Sequence, residues 1–146
     1  MQLNFTKPQI AMLKSNNFSA TYRIYYEDTD AGGVVYYANY LKFFERARTD
    51  FLRSLGISQS NLAEVENLVF VVKRCEIEYI SPAKLDDLID VSVEIKELRG
   101  ASIVMEQIIT MESKMIASLT VVVVCVGNND FKTKKIPFDI RNLLSV

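Results

Sequence analysis

Tyr25 to Leu52 reads YYEDTDAGGVVYYANYLKFFERARTDFL, and this stretch decides the fold. Asp28, Thr29 and Asp30 form turns readily, and Gly32 and Gly33 tolerate positive φ, so a tight turn is expected here. Before it, Tyr22, Ile24 and Tyr26 alternate as in a half-buried strand. After it, Tyr40, Phe44, Ala47, Phe51 and Leu55 recur at helical spacing, while Lys42, Arg46, Asp50 and Arg53 occupy the polar side. Asn39 is the expected N-cap and Gly56 the expected residue after the C-cap, which predicts one long helix over Asn39 to Leu55. A carboxylate, Asp30, thereby stands a few residues before a helix N-terminus. That placement suits acyl transfer, where a negative group works beside backbone N–H groups able to hold an oxyanion. An ordinary strand–loop–helix connection, with Asp28 and Asp30 only capping a turn, carries the same pattern.

The rest of the chain is rich in strands. Val69 to Ile80 alternates, with Cys75, Ile77 and Tyr79 on one face and Arg74, Glu76 and Glu78 on the other, and Ser81-Pro82 ends it. Ile89, Val91, Val93 and Ile95 mark a further strand. Arg99-Gly100 turns the chain into Ile103 to Met111, and Glu112-Ser113-Lys114 turns it again into Met115 to Val126. Gln59 to Glu66 is expected as a short helical turn, Gly127 to Lys135 as a polar loop and Pro137 to Leu144 as a closing helix. One long helix and about five strands joined by tight turns predict an α+β domain, an antiparallel sheet wrapped around that helix.

Composition bounds the function. The 146 residues make one domain, 49% hydrophobic and 24% charged, as expected of a globular protein. A net charge of −1 without a basic tail argues against a nucleic-acid partner. The longest apolar run, Leu119 to Val126, includes Thr120 and is too short to span a bilayer, so it reads as a buried strand. No basic region followed by a long apolar stretch opens the chain, and residues 1–18 are expected to be a short N-terminal extension or an added edge strand. Cys75 and Cys125 both lie in apolar strand patterns and are expected to be buried free thiols of a cytoplasmic protein. The sequence holds no histidine, which removes a Ser-His-Asp triad, a Cys-His pair and most zinc sites together. No phosphate-binding glycine motif is present, so no nucleotide cofactor is expected, nor any metal. A carboxylate is the remaining candidate for catalysis.

The residues E-D-T-D-A-G-G-V-V-Y at Glu27 to Tyr36, followed by A-N-Y-L-K-F-F-E-R-A-R at Ala38 to Arg48, carry a resemblance. They resemble the 4-hydroxybenzoyl-CoA thioesterase family of hotdog-fold enzymes, and within it the acyl-CoA thioesterases encoded beside the Tol–Pal envelope genes. IEYISPAKLDDLIDV, from Ile77 to Val91, is similar to the family's strand–turn–strand, and Ile136-Pro137 matches near the end. The likeness covers roughly Thr21 to Leu144 and implies the hotdog topology, with five or six antiparallel strands around the helix.

The resemblance also implies an activity: hydrolysis of an acyl-CoA thioester, or of the same thioester on acyl carrier protein. It places the catalytic carboxylate at Asp30, as nucleophile or general base, and the oxyanion donor at a backbone N–H near Tyr37. The Tol–Pal-associated members usually carry histidine where this chain has Tyr37, so no catalytic role of that side chain carries over, whereas a backbone role does. Tyr37 is also a candidate for shaping the acyl pocket or donating its hydroxyl. Gly33, Tyr36 and Glu45 are candidate substrate contacts within the matched blocks; Glu45 flanks the apolar stripe and equally fits a solvated or ion-paired role. Lys73, Arg74, Arg99 and the group Lys132, Lys134, Lys135 are candidate partners for coenzyme A phosphates. Asp28 is a candidate for orienting the turn, and Phe43, Phe44 and Met105 are expected in the core. Family members pair as dimers, and a homodimer or homotetramer is expected here. A non-catalytic acyl-binding partner of an envelope complex is the alternative to the enzyme.

Overall fold

Strand alternation produces one five-stranded antiparallel sheet in the computed structural model, which describes residues 17–145. The strands are β1 (Asn17–Arg23), β2 (Leu68–Tyr79), β3 (Leu88–Leu98), β4 (Ser102–Met111) and β5 (Lys114–Gly127). They lie in the order β1-β3-β4-β5-β2. Helix α1 (Tyr40–Ser54) follows β1, and α2 (Phe138–Leu144) closes the chain. The α+β expectation holds, with five strands.

The inward residues of the sheet, among them Val91, Val93, Ile103, Met105, Ile109, Leu119 and Val121, are buried. The apolar stripe of α1, Tyr40, Phe43, Phe44, Ala47 and Phe51, packs into the same core. Burying each side chain the size of Phe44 or Phe51 contributes about 1.5–3 kcal/mol, so this seam holds the helix on the sheet. Gln107 of β4 breaks the apolar pattern and is fully buried. Its amide N–H donates to the Phe44 carbonyl at 2.9 Å, and its Oε1 accepts from Arg48 at 3.0 Å. A buried amide is tolerated because both its ends are bonded. Burial holds the Arg48 guanidinium below its usual range, and the Glu45 charge opposes that fall.

Helix α1 ends as its sequence predicts. Gly56 takes φ +89°, its N–H reaches the Arg53 carbonyl at 2.9 Å, and the Ile57 N–H reaches Leu52 at 2.9 Å. This pair of bonds is a Schellman motif, which requires a left-handed residue at that position. The helix start differs from expectation. Asn39 caps nothing: it is already helical, and its side-chain amide donates instead to the Asp28 carbonyl at 2.9 Å. A 3-10 turn over Tyr37–Asn39 leads into α1.

Three other expectations are corrected. The strand before the turn ends at Arg23, and Tyr26 lies exposed in a 3-10 turn, because the chain turns over Tyr26–Asp28, where the Asp28 N–H donates to the Tyr25 carbonyl at 3.0 Å. Asn17 and Phe18, assigned to the N-terminal extension, belong to β1 and pair with Glu94 and Val93; residues 1–16 lie outside the described residues. Cys75 is exposed while Cys125 is buried, and both are free. The difference is one of strand position: β5 is interior to the sheet, whereas β2 forms its edge. Among the described residues no helix is long and apolar enough to cross a membrane.

Candidate active site

The signature turn is a hairpin that Thr29 and Val35 close as a bridge pair. The Asp30 N–H donates to the Val34 carbonyl at 2.9 Å, and the Gly33 N–H donates back to the Asp30 carbonyl at 3.0 Å. Gly33 adopts φ +82°, a conformation that disfavours a side chain, and this explains a glycine there. Oδ1 of Asp30 accepts the Gly32 N–H at 2.8 Å, which fixes the carboxylate relative to its own turn. The side chain is exposed, and among the described residues no hydrogen-bond donor takes its other oxygen.

Asp28 ties this hairpin to the entrance of α1. It is only 6% exposed. Its carboxylate accepts the Tyr25 N–H at 2.8 Å, and its carbonyl accepts both the Tyr36 N–H at 3.0 Å and the Asn39 side chain. Asp28 is therefore a structural clamp between the two turns. A second tie runs from the Val35 N–H to the Ala83 carbonyl at 2.9 Å, in the β2–β3 connection.

These bonds deliver the chain into the Tyr37–Asn39 turn. The Asn39 N–H donates to the Tyr36 carbonyl at 2.8 Å, but among the described residues no acceptor takes the N–H of Tyr37 or Ala38. They are the free donors expected where a helix begins, at the positive end of the α1 dipole. Beside them lies a groove of about 270 Å³ lined by Val35, Tyr37, Tyr40, Tyr79, Ser81 and Pro82. The Tyr40 hydroxyl in its wall accepts the Ala83 N–H at 3.1 Å. Burial pushes the Tyr40 phenol up; the bond from Ala83 opposes the rise, and the nearby charges of Asp30 and Asp87 add to it. The arrangement offers a carboxylate with one free oxygen and two free N–H groups at a helix start, next to an apolar groove.

The structure brings Asp30, Gly33, Tyr36 and Tyr37 into this one segment. Four other candidates sit elsewhere in the chain. Arg99 is in the β3–β4 turn, paired with Glu97 at 2.9 Å, and the length of β3, about 33 Å at ~3.3 Å per residue, separates it from the β3 end near Ala83. Lys73 is the unpaired residue of a bulge in β2, about 20 Å along the strand from Tyr79. Glu45 is exposed on α1 and accepts a hydrogen bond from Thr49. Lys134 pairs with Asp130 at 3.5 Å in the loop after β5, at the same end as Arg99. A larger concavity, about 460 Å³, lies on the outer face of the sheet and is lined by Glu76, Glu78 and Glu106; that acidic lining does not suit a phosphate-bearing molecule. Sequence reasoning passed over Tyr40 and Tyr79 as site residues. The available signal was the inward position of Tyr79, two residues before Ser81-Pro82.

Known proteins resemble this chain in sequence and in fold. The profile of the thioesterase-like superfamily matches residues 25–144. The acyl-CoA thioesterase YbgC of Haemophilus influenzae is 48% identical over 126 residues, 86% of this chain and 93% of the relative. Among solved structures, a probable thioesterase from Bartonella henselae superposes with a TM-score of 0.80 at 38% identity, covering 83% of this chain and 99% of the other. A 4-hydroxybenzoyl-CoA thioesterase complexed with 4-hydroxybenzoyl-CoA superposes with a TM-score of 0.82 over 90% of this chain and 100% of the other; at 20% identity it shares the fold.

Proposed function

The chain belongs to the thioesterase-like superfamily and is an acyl-CoA thioester hydrolase with the hotdog fold, and on that premise we propose that Asp30 is its catalytic carboxylate and the Tyr37 N–H its oxyanion donor. One observation carries this assignment: the free N–H groups of Tyr37 and Ala38 open the 3-10 turn that leads into α1, directly after the hairpin that presents the free oxygen of Asp30. The thioester carbonyl oxygen accepts the Tyr37 N–H, and the positive end of α1 favours the charge that develops there.

Two routes are open to Asp30. In one it attacks the carbonyl carbon, expels the coenzyme A thiolate and forms an acyl anhydride that water then hydrolyses. In the other it takes a proton from water; the hydroxide adds to the carbonyl, and the tetrahedral intermediate expels the thiolate, which recovers the proton. Both give free acid and coenzyme A. The side chain of residue 37 enters neither route, so tyrosine serves where relatives carry histidine. Gly33 sets the hairpin conformation, and Tyr36 stacks edge-on with Tyr37, ring centroids 5.0 Å apart, at the mouth of the site.

The chain works as a homodimer, or as a tetramer built from two dimers. β2 is a twelve-residue edge strand whose Val72 and Tyr79 are about half exposed, and such an edge invites pairing. Antiparallel pairing of two β2 edges sets the Leu68 end of one beside the Tyr79 end of the other. Lys73 and the loop-end cations Arg99 and Lys132 of one copy are then on the side of the other copy's groove, where coenzyme A phosphates need counter-charges. Acyl carrier protein presents the same thioester and is a second substrate class for the site. Two free cysteines fit a cytoplasmic setting.

Thiol release from a panel of acyl-CoA substrates tests the assignment. Asp30→Asn is expected to lower kcat by about 10²–10⁴ with circular dichroism unchanged. A folded Asp30→Asn protein with near wild-type kcat would overturn it, and absence of thiol release by the unaltered protein would favour a binding role.

A further inference from the structure

The hydroxyl of Tyr79 donates to the Tyr37 carbonyl at 3.0 Å across 42 residues of sequence. Tyr79 is the last residue of β2, and its ring also stands edge-on to Tyr37, with centroids 6.1 Å apart and planes at 80°. It packs against Tyr40 at 5.7 Å as well. Its ring therefore meets both ends of the first helical turn and forms one wall of the groove. The hydroxyl is the one side-chain bond made to the Tyr37–Asn39 backbone among the described residues.

We propose that Tyr79 is a positioning residue, which holds the Tyr37–Ala38 peptide so that the N–H groups of Tyr37 and Ala38 are aimed together at one oxygen. The proposal rests on the assignment of the Tyr37 N–H as oxyanion donor. Three physical steps carry it. A peptide group is a rigid plane, so fixing the Tyr37 oxygen also fixes the direction of the Ala38 N–H in the same group. Only the φ and ψ of Tyr37 separate that plane from the one holding the Tyr37 N–H, so one anchor restrains both donors. A carbonyl that accepts a hydrogen bond polarises its own peptide, which strengthens the Ala38 N–H as a donor.

The need for an anchor arises from the local structure. A 3-10 turn holds its residues with poorer hydrogen bonds than an α-helix, and its first N–H groups are unbonded by construction. Tyr37 itself is 62% exposed, so its own burial does little to restrain it. The Asp28 clamp fixes Tyr36 and Asn39, on either side of the donor pair. Tyr79 supplies the bond in between, and it ties the donors to the sheet, where the opposite wall of the groove is built.

Tyr79→Phe in the full chain is the test, because it keeps the ring contacts and removes only the hydroxyl. Loss of one neutral hydrogen bond predicts a kcat lower by about 3- to 10-fold, with KM near its original value and a melting temperature lower by roughly 2–6 °C. A second readout isolates aim from stability. The infrared carbonyl stretch of a 13C-labelled acyl-CoA, bound to the Asp30→Asn protein so that it persists, is expected at lower wavenumber than in water. Adding Tyr79→Phe to that protein is expected to move it back toward the value in water. Wild-type kcat in Tyr79→Phe, or a carbonyl stretch that does not respond, overturns the positioning role while leaving the assignment of Asp30 intact. An active Asp30→Asn protein overturns that assignment instead.

Discussion

Gly33→Ala and Gly56→Ala form a matched pair that separates the cost of a strained turn from the function of one. The two glycines have nearly the same φ, +82° and +89°, and a Cβ built on either meets no atom within 4 Å. Neither substitution therefore creates a clash, and the whole cost is that of an L-residue in the left-handed region, about 1–2 kcal/mol. Alanine also narrows the unfolded ensemble, which returns about 0.4–1 kcal/mol. The net destabilisation is at most about 1.6 kcal/mol at each site, or a fall of up to roughly 6 °C in melting temperature for a chain of this size. Their effects on catalysis differ. Gly56 ends α1 at its C-terminus, at the opposite end of the helix from the N–H donors. Gly33 closes the hairpin through its N–H to the Asp30 carbonyl, and relaxation of its φ shifts the carboxylate that depends on that turn. Displacement of a reacting group by about 1 Å can cost about 10²-fold in rate. Both variants are thus expected to melt lower by similar amounts, while Gly33→Ala alone loses at least about tenfold in kcat for thiol release. Gly33→Asn is expected to be milder in both respects, since asparagine tolerates the left-handed region. Thermal melts by circular dichroism and kcat from a thiol-release assay decide it. Equal loss of kcat in the two alanine variants, or full kcat in Gly33→Ala, would refute the link between this turn and the carboxylate.

Light scattering at micromolar concentration is expected to give at least twice the 16.6 kDa chain mass, because the β2 edge is long and its apolar residues are half exposed; a strictly monomeric mass refutes pairing there. Burial first, then the hydrogen bond to Asp50, raises the Tyr22 phenol above its ordinary value, so the folded protein keeps that proton where the unfolded chain loses it. The associated stability is complete below about pH 10 and falls as pH rises beyond it. Tyr40 shifts the same way, so Tyr22→Phe should flatten part of the alkaline loss of stability in urea titrations, and an unchanged slope would count against this coupling.

Much of this protein is written in short-range pattern. The glycine turn, the amphipathic period of α1 and the alternation of β3 to β5 each depend on neighbours within a few residues, and each forms as its pattern predicts. Gly56 is legible for the same reason, since a helix must end in a conformation that glycine adopts readily. The position of Asp30 before a helix start belongs to the same class, because a turn and a helix in sequence leave little freedom between them. Asn39 shows the limit of such signals. A capping residue type stands at the expected place, but its amide is captured by the Asp28 carbonyl, eleven residues away.

What only the tertiary structure decided are contacts across strands that are not neighbours in sequence. β2 pairs with β5 at the sheet edge although β3 and β4 lie between them in the chain. That pairing exposes Cys75, leaves Val72 open for a partner and carries Tyr79 to the first turn of α1. The buried Gln107 became tolerable only when Phe44 and Arg48 of the helix met it from above. Asp28, which shares the acidic turn with Asp30, took a structural role because its oxygens face backbone N–H groups rather than solvent. Local propensity acts over a few residues, whereas register between distant strands is set by how the whole apolar surface is buried at once. The sequence alone therefore specifies the turn, the helix and the place of Asp30 between them, and packing of the sheet around the helix specifies which other groups lie beside that turn.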